Sequence, residues 1–199
     1  MPRNPPASKA VDPIIRYLHA DWAEAAMMAS VMKGQRAALW PAVAVVVVLA
    51  ATCYPHVPRW ELALMVVVSM VVTVVRLRFV QGYERLAKTD RIDVQLSYLH
   101  RYRGFWMLNG VAWGMWPLLF YGRLPAAATV ACWMLTAGVG GVAIASMSAH
   151  LRATRAFLMS FLLSLAISVG LAFAVRPHTL LQQVDYWVPV LLGLYWLLL

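Results

Sequence analysis

Apolar residues fall into six long runs separated by short polar breaks, at residues 37–54, 60–80, 104–121, 126–149, 155–175 and 184–199. A helix needs about 20 residues at about 1.5 Å each to cross roughly 30 Å of hydrocarbon. The first five runs reach that length once their interfacial ends are counted. The sixth stops at Leu199 just short of a crossing. The pattern predicts an all-α, polytopic bundle of six transmembrane helices in a chain expected to continue beyond Leu199.

Ahead of the first run the pattern changes. Residues 1–10 are rich in proline and polar groups and are expected to be disordered. Asp12-Pro13 then offers a capping residue followed by proline at a first helical position. From there Ile14, Leu18, Trp22, Ala25, Met28 and Met32 recur at helical spacing, with Arg16, Asp21 and Glu24 largely elsewhere. This predicts an amphipathic helix over 11–36, lying on the membrane surface, packed under the bundle, or docking a partner. Between the second and third runs, Ile92, Leu96, Leu99, Arg103 and Trp106 share a face, with Thr89-Asp90 as the break. Spans two and three are therefore expected to extend out of the membrane as a basic helical hairpin.

Charge adds direction. Lys and Arg number 17 against 8 Asp and Glu, for a net charge of +9. In a soluble protein that excess suggests nucleic acid, but here the cations gather at the ends of apolar runs, which makes membrane lipid the expected partner. Fourteen lie on one side of the bundle and only Arg59, Arg123 and Arg176 on the other. That split places both termini in the cytoplasm.

Within the spans, small residues and aromatics are ordered. In the third, Trp106, Asn109, Gly110, Trp113 and Trp116 follow helical spacing, so large rings stand beside one amide and a patch of bare backbone. Together with Trp133 of the fourth span they can line an apolar pocket with one polar handle, suited to a lipid-like molecule; the alternative is packing. Gly110 and Gly114 are four apart, Gly138 and Gly141 lie in a small-residue ridge of the fourth span, and Ser160, Ser164 and Ser168 repeat the device in the fifth. In lipid such ridges mark close helix packing, so spans three, four and five are expected to form the tight centre. A leucine at Gly110 is expected to disturb that centre while leaving insertion intact.

Catalytic patterns are missing. There is no G-x-S-x-G, H-E-x-x-H, C-x-x-C or phosphate-binding loop in the sequence. Cys53 and Cys132 read as packing residues, with a bridge between them left open. His56, His178 and Asp185 gather on the outer rim, where they are either solvated or a weak metal or pH-sensing group. No cofactor is implied. The absence of a charge deep in the first five spans argues against an ion-coupled transporter.

The run Arg76-Leu-Arg-Phe-Val-Gln-Gly-Tyr83, the hairpin after it, Trp106, Asn109, Gly110, Trp113-Gly114, Leu118 to Phe120, the glycine-rich fourth span and Ala156-Phe157 follow in a suggestive order. In that order the chain resembles the MASE-type six-helix membrane sensor modules that precede bacterial diguanylate cyclase, phosphodiesterase and histidine kinase domains. The resemblance covers about residues 35–199. It implies a sensory input domain of the bacterial inner membrane, a homodimer, and a cytoplasmic output domain following Leu199, a diguanylate cyclase in preference to a kinase. The other function to weigh is a small transporter or channel subunit.

Overall fold

The computed structural model describes residues 8–88, 92–102 and 104–175, with side chains from Trp22 onward. The sixth apolar run, with His178 and Asp185, lies outside them. All described segments are helical. Three helices, Arg59–Ala87, Ala126–Met147 and Leu151–Val175, are long and apolar enough to cross a membrane, and a bent pair brings the number to four if it counts as one span.

That bent pair is α1 (Ser8–Ala37) and α2 (Leu39–Cys53). Helix already includes Ser8, so the Asp12-Pro13 pair lies inside α1 and does not start it. The two helices meet at 41°. Pro41 explains the bend, because it has no N–H for the Ala37 carbonyl and its ring crowds that turn. On α1, Ala25, Met28, Val31, Met32 and Gln35 are buried, whereas Trp22 is 63% exposed and leaves the expected face.

α3 (Arg59–Ala87) starts after Pro58 and buries Leu62, Met65, Ser69, Val72, Arg76, Phe79, Val80 and Tyr83, a stripe at steps of three and four. α4 (Ile92–Arg101) folds back along it, as expected of the hairpin. The Tyr98 hydroxyl donates to the Phe79 carbonyl at 3.2 Å, and a Cβ on Gly82 would collide with that hydroxyl. Burial first, and the Tyr102 phenol second, push the Tyr98 hydroxyl above its ordinary pKa. The Phe79 ring stacks on Tyr98 at 5.6 Å and meets Trp106 edge-on at 5.7 Å.

The expected continuous face from Ile92 to Trp106 is broken. The helix ends at Arg101 and restarts as α5 (Gly104–Gly114), with the Phe105 amide bonded to the Tyr102 carbonyl at 2.9 Å. The third predicted span is likewise not one helix. α5 stops before Pro117, which has no N–H for the Trp113 carbonyl, and the chain resumes as the single turn α6 (Pro117–Phe120). Gly122, at φ 72°, supplies the left-handed residue of the following turn. α7 (Ala126–Met147) and α8 (Leu151–Val175) complete the described bundle.

Arg123 in the α6–α7 turn pairs with Glu61 in the first turn of α3, each side chain about one-fifth exposed. Glu61→Gln is expected to cost about 0.5–1 kcal/mol, in keeping with a pair open to solvent. A double-mutant cycle with Arg123→Gln checks this; a coupling near zero would mean that the clamp contributes nothing.

Candidate functional site

α5 is short because of its proline, and α8 repairs the damage. With Pro117 in place, the Leu118 amide bonds to the Met115 carbonyl at 3.1 Å, which leaves the Gly114 carbonyl without its usual helical donor. Ser168 Oγ donates to that carbonyl at 3.0 Å, and Ser164 Oγ donates to the Val111 carbonyl at 3.0 Å. Ser168 thus satisfies the one backbone carbonyl that the break leaves open, the condition for tolerating such a break in lipid, while Ser164 adds a second bond to a carbonyl that already accepts from the Met115 amide at 3.1 Å. Ser160 turns back on its own helix, donating to Ala156 and Phe157 carbonyls at 2.8 and 2.9 Å.

These bonds require the backbones to touch. A Cβ on Gly110 would overlap Ser160 Oγ and the Phe157 carbonyl, and one on Gly114 would lie 2.5 Å from the Phe161 carbonyl. Gly110, Gly114, Ser160, Ser164 and Ser168 therefore form one seam between α5 and α8. Gly138 and Gly141 take no part in it. A Cβ on either meets nothing within 4 Å. The expected tight centre of spans three, four and five narrows to α5 and α8.

Beside the seam lies a cavity of about 220 Å³, lined by residues that include Gln35, Arg76, Asn109, Trp113, Gly138 and Ser146. Pro41, Ala42 and Val45 of α2 and Met134, Val139 and Val142 of α7 form its apolar walls. Its polar end is unusual. Arg76 is only 6% exposed, and its Nη2 donates to the Gln35 carbonyl at 3.0 Å, while its Nε is sealed from solvent without a hydrogen-bond partner. Gln35 Nε2 donates to Ser146 Oγ at 3.2 Å, and Gln35 Oε1 is also unpartnered. Among the described residues no carboxylate pairs with Arg76: Glu84 takes Arg36, Glu61 takes Arg123, and Glu24 faces His150 and Arg152. Counted from the sequence as a flanking cation, Arg76 is packed inside the bundle, four residues before the end of the second apolar run.

The aromatic face read from the sequence is divided. Asn109 and Trp113 line this cavity. Trp106 lines a second cleft of about 470 Å³ with Glu24, His100, His150, Arg152 and Arg155. Trp116 and Trp133 are fully buried, Trp133 edge-on to Phe120 and Tyr121 at 5.2 and 5.6 Å. The break at Met115–Trp116 sets Trp116 out of helical phase with Trp113.

Sequence reasoning missed Arg76, Gln35 and Ser146. A signal for Arg76 existed, since it keeps step with Leu62, Met65, Ser69, Val72, Phe79 and Tyr83 on the buried stripe of α3. His56 sits exposed in the α2–α3 turn, and among the described residues no three of His, Cys, Asp and Glu gather to hold a metal. Cys53 of α2 and Cys132 of α7 are unbridged and buried.

Comparison of the chain with protein-family models, with curated proteins and with solved structures returned no match.

Proposed function

We propose that this bundle is a membrane-embedded sensory input module of the six-helix MASE kind, which relays a signal dissolved in the bilayer to a cytoplasmic output domain. One observation carries the reading. The cavity wall joins the bundle interior, through Asn109, Trp113 and Phe157, to the α1–α2 bend, through Gln35 and Ala38. A molecule that fits the cavity better at one bend angle than at another shifts the population of bends, and equal fit at both would shift nothing. In this reading α1 and the α3–α4 hairpin stand on the cytoplasmic side and carry the shift onward, two chains acting as a pair. Native mass spectrometry of the detergent-extracted chain, before and after delipidation, tests it. A dimer retaining a lipid-like adduct is the expected result.

Arg76 favours a second reading, because an ionisable group inside a membrane bundle is the usual mark of a transport path. Flux across proteoliposomes separates the two. Solute movement by a chain that retains no adduct would replace the sensor with a small transporter.

A further inference from the structure

The Arg76 cavity specifies the chemistry of what enters it. We propose that it is the receptor site for a single-chain anionic amphiphile, a long-chain carboxylate whose head group pairs with the Arg76 guanidinium while its chain leaves between α2 and α7. This deepens the sensory reading and rests on it.

Charge is the first argument. A buried ion without a counter-ion costs several kcal/mol, and such sites persist where something supplies the missing charge. Arg76 is buried, bonded to protein through one nitrogen, and unpaired with any described carboxylate, while its Nε–H has no acceptor at all. A carboxylate in the cavity supplies the missing charge to the guanidinium, and charge-assisted bonds to a guanidinium are among the strongest available.

Shape is the second. The cavity's volume of about 220 Å³ is below the roughly 300 Å³ at which pockets for drug-sized ligands begin. It holds a small head group and the first carbons of a chain, not a sugar or a diacyl head. The rest of the molecule must lie outside, and the walls provide for that: Pro41, Met134, Gly138 and Val142 line the cavity and are also exposed on the bundle surface. Gly138 keeps this opening clear, because a Cβ there meets only empty space.

The test uses the full chain in phosphatidylcholine nanodiscs and a stearate carrying a nitroxide near its carboxyl end, which quenches tryptophan fluorescence at short range. The acid is expected to quench saturably and to be displaced by palmitate, whereas its methyl ester gives only the linear quenching of a label dissolved in lipid. Arg76→Gln, and independently Gly138→Leu, which blocks the opening without touching the arginine, should each weaken binding by about tenfold or more, the worth of one charged hydrogen bond or of the lost space. Gly141→Leu, equally open but off the cavity, should bind as the parent does. Equal quenching by acid and ester, failure of palmitate to compete, or unaltered binding in Gly138→Leu would overturn the proposal. Spin labels at Trp22→Cys on α1 and Ser97→Cys on α4, in a chain whose Cys53 and Cys132 are replaced by alanine, separate the site from the sensor. Palmitate binding that leaves the label distance unchanged removes the sensory reading while the carboxylate site stands.

Discussion

Gly110→Ala is expected to cost about 3 kcal/mol, the upper end of overpacking effects, although it adds a single methyl group. That methyl would overlap Ser160 Oγ and the Phe157 carbonyl. The serine can rotate away; the carbonyl belongs to the backbone of α8 and cannot, so the helices must part and the Ser164 and Ser168 bonds to α5 must stretch. Thermal unfolding in detergent reads the loss. Adding Ser160→Gly should restore only part of it, because the carbonyl contact remains. Gly138→Ala and Gly141→Ala are the controls: with open space around each Cβ, alanine should be neutral or stabilising by up to about 1 kcal/mol through helix propensity. If all three alanine variants melt alike, the α5–α8 seam is not the tight contact described. The same geometry bears on leucine at Gly110: its side chain is directed at the backbone of α8, so its first effect is expected on the α5–α8 packing itself.

Trp133→Ala should be as damaging, at about 3–5 kcal/mol, the range for removing a large aromatic from a core. Trp133 is 1% exposed and closes the α6–α7 corner by meeting Phe120 and Tyr121 edge-on. Nothing nearby can collapse into the space without undoing that corner. Trp133→Phe should be far milder. Phenylalanine loses volume, but it also removes an indole N–H that is buried with no hydrogen-bond partner, a defect worth about 1–3 kcal/mol. The comparison is a denaturant titration of the three proteins in one detergent. A phenylalanine variant as weak as the alanine one would show that the indole nitrogen has an acceptor after all.

How far the sequence could be read depended on which physical signal was local. Helical fold and the hairpin after α3 follow from apolar runs and turn residues, because a helix settles its own hydrogen bonds; α8 nevertheless starts at Leu151, four residues before the run that announces it. Gly110 and Gly114 share their spacing with many small-residue pairs, and spacing alone cannot say which pair finds a partner; Gly138 stands in a ridge as regular and faces open space. Arg76 was obscured by a competing rule. Counting cations by side treats every arginine near a span end as a flank, while the periodicity of α3 puts this one on the buried stripe. Pro41 and Pro117 were visible, but each lies inside an apolar run, and reading the runs as continuous hid the bend at Ala38 and the break at Trp116. The polar end of the cavity lies at the first of these interruptions, where Gln35 and Ala38 line it beside Arg76.

The repair of α5 by α8 also fixes an order of events during synthesis. The two serine bonds join residues 53 and 54 positions apart in the chain. An 11-residue helix such as α5 covers about 16 Å, roughly half the hydrocarbon thickness. At about 5–20 residues per second, the ribosome delivers Ser168 several seconds after Gly114. Until then the Gly114 carbonyl lacks the Ser168 donor that it has in the folded bundle. Among the described residues, α5 therefore completes its hydrogen bonding only once α8 has been made. The first half of the bundle carries an open carbonyl that only the second half can close, so the two halves cannot reach their final hydrogen bonding separately.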